Sequence, residues 1–190
     1  MTSSDSKMVL DLLERTEANL KRIEIYNKRF VCLSLNEWRY AARHFATYNV
    51  TGSEDEQRKA LSHLKRAYYD SCDVLIDCLL NAISCFDAEA HGYAGILANI
   101  VPNFAESRLA VHEARRAHLI AQSVSGDERE SAYESLSTHC EKLEQYLSNL
   151  EATRDLWAED IRKQKSRDRL PIIWTIIGIG VSIVLALIFG

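Results

Sequence analysis

The chain has 190 residues and a formal net charge of −4, and it contains only seven glycines and two prolines. So few turn-forming residues leave room for few turns and favour long helices. Basic residues are concentrated after residue 161, so residues 1–161 are strongly acidic. Such a domain is a poor general binder of nucleic acid, and no DNA partner is expected.

We expect an all-α fold, in which residues 1–161 form a cytoplasmic bundle of about five helices. Apolar residues at alternating spacings of three and four predict the first helix over 6–30 and a short second helix over 35–48. Residues 49–56 are expected to form a loop. Within it, Ser53 and Glu56 have the spacing of a capping box at the start of helix three.

Helix three is expected to be the core helix, because residues 74–86 are apolar on nearly all sides. The segment HGYAG, residues 91–95, and Pro102 should interrupt the helical pattern. A fourth helix is expected over 104–123. Cysteines occur without any C-x-x-C pair, so they are interpreted as small apolar residues rather than disulfide or metal ligands.

The segment 127–168 is predicted to form a long C-terminal heptad helix. Its seam residues are Tyr133, Leu136, Cys140, Leu143, Leu147, Leu150, Arg154, Trp157 and Ile161. A seam with this period packs along its full length against a partner helix. The partner is either helix three of the same chain, in a bundle, or the same helix of another chain, in a stalk. Matching stripes on helices one and three favour the bundle.

Two segments have the pattern R-x4-H: Arg39 to His44, and Arg58 to His63. This spacing resembles the active-site motif of HEPN ribonucleases, which are small all-helical domains that work as dimers. The resemblance implies that histidine acts as acid or base and that arginine stabilises the charged phosphate. A polar residue usually follows the arginine in that family, whereas Tyr40 or Lys59 follows it here.

No metal or cofactor site is predicted. The segment HEARRAH, residues 112–118, has Arg116 where a zinc-protease helix needs its second histidine. Asp70, Asp73, Asp77 and Asn81 follow helical spacing on helix three, where they could bind a divalent cation or line a polar lumen, which is the less favoured interpretation. They are interpreted as a solvated or salt-bridged face, and one form of that hypothesis pairs them with basic residues of helix four. Those basic residues are Arg108, His112 and Arg115.

Residues 171–189 contain no charged residue and follow a basic juxtamembrane segment, 162–170. The length of 171–189 as a helix, roughly 28 Å, matches the hydrocarbon thickness of a bilayer, so it predicts a single C-terminal transmembrane helix. Basic flanking residues favour the cytoplasmic side, which places the N-terminal domain in the cytoplasm. The basic residues expected at the membrane surface are Arg162, Lys163, Lys165, Arg167 and Arg169.

Gly178, Ser182 and Ala186 are spaced by four and would lie on one face of the span. Small residues at this spacing allow two helices to approach closely, so this face is a candidate oligomerisation surface. The sequence therefore predicts a non-enzymatic tail-anchored membrane protein that forms a homo-oligomer. It would act on the lipid bilayer as an effector, or as a scaffold or adaptor whose acidic bundle holds a protein partner. The alternative is a membrane-tethered HEPN-like ribonuclease.

Overall fold

The computed structural model describes the backbone of residues 3–27 and 32–189. Side chains are described for these residues except 3–6, 32, 127, 170, 172–173, 178 and 180–189. This part of the chain contains seven helices and no strand, which confirms the all-α fold. The helices are α1 (Ser3–Tyr26), α2 (Cys32–Thr51), α3 (Glu54–Glu89), α4 (Ala94–Ile100), α5 (Phe104–Ser123), α6 (Asp127–Ala152) and α7 (Arg154–Phe189).

Helix α3 is the centre of the bundle, as its apolar sequence predicted. It packs against α1, α2, α5 and α6. Its buried residues include Leu64, Tyr68, Leu75, Leu79 and Ile83, all at most 2% exposed. Because these positions repeat at spacings of three and four, they line one helix face that must be covered by several neighbours.

The predicted heptad seam is buried along its length. Its buried members are Tyr133, Leu136, Cys140, Leu143, Leu147, Leu150, Trp157 and Ile161. Arg154 is the exception, because its side chain is exposed and forms a 2.8 Å ion pair with Glu89. Helix α6 packs on α3 and α5 of the same chain, as the bundle interpretation requires.

The prediction of about five helices is wrong at two places. The chain is interrupted near HGYAG and again at Pro102, as predicted, but the residues between these breaks form a separate short helix, α4, that was not predicted. The predicted helix over 127–168 also breaks at Thr153. There the Thr153 hydroxyl donates to the Asn149 carbonyl, and Trp157 Nε1 donates to the Leu150 carbonyl. The backbone N–H groups of Thr153 and Trp157 still bond to the Asn149 and Thr153 carbonyls, so the chain makes a turn of one residue before α7 begins at Arg154.

Helix α1 ends at Tyr26 rather than at Phe30, which lies outside the described residues. Helix α2 is longer than predicted at both ends and reaches Thr51. Polar contacts attach α1 to the bundle as well as apolar ones. Arg22 donates two 2.8 Å hydrogen bonds to the Glu144 carboxylate of α6. Such a two-pronged pair fixes the rotation of α1 against α6.

The predicted transmembrane helix over 171–189 is not supported. Among the residues that were described, no helix combines the length and apolar character needed to cross a bilayer. The backbone of this segment continues α7 as a helix through Phe189, with Pro171 inside it. Most of its side chains, those of residues 172–173, 178 and 180–189, lie outside the described set.

Candidate functional site

The histidines of the two R-x4-H segments meet between α2 and α3. His44 comes from α2 and His63 from α3. Their ring centroids are 5.2 Å apart and their planes differ by 7°, so the imidazoles stack face to face. The ring of Tyr40 lies beside this stack, with its centroid 5.5 Å from that of His63.

Each imidazole is hydrogen-bonded to a carboxylate on the opposite helix. Nδ1 of His44 lies 2.7 Å from Oε2 of Glu56, and Nδ1 of His63 lies 2.7 Å from Oε2 of Glu37. His44 and Glu56 are 12 residues apart in the sequence, and Glu37 and His63 are 26 residues apart. Val50 is the midpoint of both intervals. The four side chains form a reciprocal cluster, called here the His–Glu cluster.

The His–Glu cluster is half-buried. The exposed fractions of its side chains are 23% for His44, 19% for Glu56 and 21% for both His63 and Glu37. Ionisable groups that are covered to this extent interact more strongly than surface pairs, because less water screens them. The cluster therefore links α2 and α3 by two side-chain hydrogen bonds.

Neither glutamate was predicted to bind a histidine, although a repeated sequence pattern contains both and explains this arrangement. Both helices contain the pattern E-x-R-x4-H, from Glu37 to His44 and from Glu56 to His63. A separation of seven residues is close to two helical turns, so each glutamate and histidine share one face. Gly52, at φ 68°, lies in the tight connection that makes the two helices antiparallel. When two copies of this pattern lie antiparallel, the glutamate of each copy faces the histidine of the other, so two Glu–His pairs form.

Glu56 does not have the predicted role. Ser53 is at the N-cap position of α3, but its side chain makes no capping hydrogen bond. The Glu56 carboxylate instead binds His44 and lies 3.0 Å from Nζ of Lys59. The hydrogen bond from His44, followed by that from Lys59, lowers the pKa of Glu56. Glu56 is therefore an anion that belongs to the His–Glu cluster rather than a helix cap.

The arginines of the two motifs do not join their histidines. Arg58 is exposed and its guanidinium lies 3.4 Å from Asp55 on the same helix. Arg39 is exposed, with Cζ 5.3 Å from the centroid of the Tyr40 ring. Among the described residues, neither arginine is hydrogen-bonded to either imidazole of the cluster. The structure thus brings together two candidate acid–base groups without the cation that would stabilise a phosphate.

The acidic face of α3 is paired with α5 through Asp73, one of the predicted carboxylates, but its partner on α5 is His118 rather than a predicted basic residue. Asp73 Oδ1 lies 3.0 Å from Nε2 of His118, and the Tyr133 hydroxyl donates to Asp73 Oδ2 at 2.9 Å. The hydrogen bond with Asp73 raises the pKa of His118. Arg108 instead bonds to Asp87 at 2.6 and 2.7 Å. This network is a salt-bridged face, as hypothesised.

Metal ligation is not indicated in the part of the chain that the structure describes. No group of three or more His, Cys, Asp or Glu side chains there is arranged to hold an ion. Burial raises the pKa of the Cys72 thiol to about 11 and that of Cys140 to about 12. Both thiols are therefore neutral near pH 7 and behave as small apolar groups.

Helix α7 changes character after Ile161, its last buried residue among those described. The predicted membrane-surface residues Arg162, Lys163, Lys165, Arg167 and Arg169 are all exposed. Lys163 is paired with Glu159 at 2.8 Å, and Nζ of Lys165 lies 5.5 Å from the Tyr93 ring centroid. Gly178, Ser182 and Ala186, the predicted oligomerisation residues, lie outside the described side chains.

The described residues define the class of the molecule as an all-helical bundle with an exposed basic segment on its last helix. Comparison with known proteins finds no matching family model, no matching curated protein and no matching solved structure.

Proposed function

We propose that this chain is a non-enzymatic membrane-anchored protein that works by self-association, as an effector of the bilayer or as a scaffold for a partner. The observation that carries the proposal is the change along α7. Trp157 and Ile161 are buried in the bundle, whereas Trp174, Ile176, Ile177 and Ile179 are large apolar side chains that are each at least 48% exposed. These side chains follow directly on an exposed basic segment.

An apolar surface of this kind is costly in water, at roughly 25 cal/mol for each Å² left exposed. A lipid bilayer removes that cost without requiring any further protein. A helix over 171–189 is roughly 28 Å long, which is close to the thickness of the hydrocarbon layer. The segment contains no charged residue to oppose insertion. Insertion of 171–189 as a single span is therefore the anchoring step that we propose.

The basic segment 162–170 would then lie at the lipid surface on the cytoplasmic side. Lys and Arg near an anionic leaflet each contribute about 1 kcal/mol of attraction. The positive-inside rule places the bundle in the cytoplasm. Self-association would use Gly178, Ser182 and Ala186, because small residues spaced by four allow close helix packing in lipid.

A flotation experiment with lipid vesicles tests the anchor. We expect the full chain to float with the vesicles and to resist extraction at alkaline pH. The double substitution Ile176→Lys, Ile177→Lys should abolish this, because charges near the middle of a span oppose insertion by about 2.5–3.5 kcal/mol each. Leu156→Lys is the matched control, since Leu156 is 61% exposed on the same helix but precedes the basic segment. Flotation that survives the double substitution would contradict the proposed anchor.

The oligomeric mass in mild detergent tests the second half of the proposal. The full chain is expected to form an oligomer, and Gly178→Leu with Ser182→Leu should convert it to a monomer without preventing flotation. Leucine keeps the span apolar, so membrane insertion serves as the internal control. A full chain that is monomeric before substitution would leave the anchor intact but remove self-association.

A second candidate function is RNA cleavage, favoured by the contact between His44 and His63. One imidazole would take the proton from a 2′-hydroxyl while the other protonates the departing 5′-oxygen. Arg39 or Arg58 would stabilise the charged phosphate after moving toward the histidines. This is the HEPN-like alternative, and it requires no metal.

An assay with the full chain and a labelled RNA separates this candidate from the first. Cleavage should be lost in both His44→Gln and His63→Gln and retained in His91→Gln, since His91 is exposed and lies outside the His–Glu cluster. It should also survive the Ile176→Lys, Ile177→Lys substitution, because this chemistry needs no bilayer. RNA that remains intact with the native chain would eliminate the candidate.

A further inference from the structure

An apolar cavity of about 390 Å³ lies among α1, α2 and α3. It is separate from the His–Glu cluster, because none of the residues that line it belongs to that cluster. Leu13 comes from α1, Leu64 from α3, and Leu35, Trp38, Arg39 and Phe45 come from α2. Its lining is almost wholly apolar, so water inside it would find few hydrogen-bond partners.

Two hydrogen-bond donors line this cavity, which opens to solvent at Arg39 and Ala42. Nε1 of Trp38 is buried and makes no hydrogen bond to any described residue. Arg39 is exposed, and none of the described carboxylates lies within ion-pair distance of it. A buried donor without a partner is unfavourable, because it has lost water and gained nothing in exchange. A ligand that has an apolar body and an anionic group would cover the apolar lining and pair with the exposed Arg39 guanidinium.

We propose that the cavity binds a free long-chain fatty acid, with its alkyl chain among Leu13, Phe45 and Leu64 and its carboxylate on Arg39. The guanidinium and a carboxylate form two parallel hydrogen bonds, which accounts for an arginine at the edge of an apolar site. The volume is at the lower end of the range of roughly 300–1,000 Å³ for small-molecule sites, which suits one alkyl chain rather than a two-chain lipid. This site is independent of the membrane anchor proposed above.

Photolabelling of the full chain in mild detergent tests the site. The probe is a palmitate analogue with a photoreactive group in its alkyl chain, and the labelled peptides are mapped by mass spectrometry. We expect label on α2, removed by excess palmitate. Hexadecanol should compete about tenfold less well, because it cannot form a charge-assisted pair with Arg39.

Two substitutions with matched controls identify the contacts. Arg39→Gln should weaken labelling of α2 by about tenfold through loss of the ion pair, whereas Arg43→Gln, at an exposed position outside the cavity lining, should not. Ala42→Trp should block the cavity, and Ala46→Trp, one turn further along α2, should leave labelling unchanged. Circular dichroism checks that each variant remains helical.

Label on α2 that is indifferent to Arg39→Gln and Ala42→Trp would overturn the proposal. Equal competition by hexadecanol would overturn the role of the carboxylate. Label confined to residues 171–189 would show only partition of the probe with the apolar segment, and would also overturn the site.

Discussion

The imidazole ring of His44 stacks on that of His63 across the α2–α3 connection, with 5.2 Å between the ring centroids. Each histidine is hydrogen-bonded to a carboxylate of the opposite helix: His44 to Glu56, and His63 to Glu37. This reciprocity depends on the register of the two helices. A shift of α3 by one residue would rotate its face by about 100° and separate both pairs at once.

Coupling between the helices should be measurable at each His–Glu pair. In a double-mutant cycle on His44→Gln and Glu56→Gln, we expect the double variant to lose less stability than the sum of the losses in the two single variants. The reason is that the 2.7 Å hydrogen bond joins two largely covered side chains. Replacing Glu56 leaves His44 without this partner, whereas replacing His44 leaves Glu56 with Lys59 alone. Thermal unfolding of the full chain in mild detergent gives the four stabilities.

The cycle on His63→Gln and Glu37→Gln should give a similar value, because this pair has the same distance and nearly the same exposure. A third cycle, on His44→Gln and Glu37→Gln, measures indirect effects, because these two residues are not hydrogen-bonded to each other. Coupling that is equal in all three cycles would show that the effect spreads through the helices rather than through the hydrogen bonds.

The connection at Gly52 should be sensitive to a side chain. Gly52 has φ 68°, and an added Cβ would meet no atom within 4 Å. Gly52→Ala is therefore expected to cost about 1–2 kcal/mol through backbone strain alone. Gly95→Ala is the matched control, because that position is equally open but lies inside helix α4. There alanine should be neutral or stabilise the fold by up to about 1 kcal/mol, relative to glycine.

The unfolding temperatures of the Gly52→Ala and Gly95→Ala variants test whether Gly52 needs its left-handed conformation. A loss of stability at Gly52 and none at Gly95 would establish the left-handed turn as the device that sets the α2–α3 register. Equal melting temperatures for both variants would show that the connection adopts another conformation in solution.

Much of the fold could be predicted from periodicity, because the spacing of apolar residues directly reflects which face is covered. The seam from Tyr133 to Ile161 is an example, and only Arg154 departs from it. The break at Thr153 could not be predicted in this way. It is a turn of one residue across which the backbone bonds from Thr153 to Asn149 and from Trp157 to Thr153 persist, and it leaves the apolar spacing unchanged.

Only part of the candidate site could be predicted from the sequence. His44 and His63 were singled out by their spacing from arginine, yet their partners are glutamates that were overlooked or, for Glu56, assigned to a capping box. The repeated pattern E-x-R-x4-H was the available signal. Whether two copies meet depends on the geometry of the Gly52 connection, which composition and periodicity do not determine.

Trp157 should hold the start of α7 to the bundle. Its side chain is fully buried, contacts Phe86 edge-on with 6.1 Å between centroids, and donates to the Leu150 carbonyl. Trp157→Ala is expected to destabilise the fold by about 3–5 kcal/mol, because it removes a large apolar group and leaves a cavity. Leu156→Ala, at the preceding exposed position, should cost less than about 0.5 kcal/mol. Thermal unfolding of both variants in the same detergent measures the difference.

If Trp157→Ala melts like Leu156→Ala, the beginning of α7 is not packed against the bundle in solution. The basic segment would then be attached to the bundle only through the turn at Thr153.

The pair formed by His118 and Asp73 should make stability depend on pH. Its hydrogen bond raises the pKa of His118 above the ordinary value of 6.5, although burial opposes this. A histidine whose pKa is higher in the folded state binds its proton more tightly when folded. Its contribution is therefore complete below about pH 6.5 and is lost as the pH rises through the folded-state value.

We expect the melting temperature to decrease between about pH 6 and about pH 8, and His118→Gln to flatten this decrease. His139 provides a comparison of opposite sign, because burial lowers its pKa and its Nδ1 has no partner among the described residues. Protonation of His139 opposes folding, so His139→Gln should instead reduce any loss of stability below about pH 6.5. A His118→Gln variant that keeps the full decrease above that pH would mean that Asp73 does not hold the proton on His118 in solution.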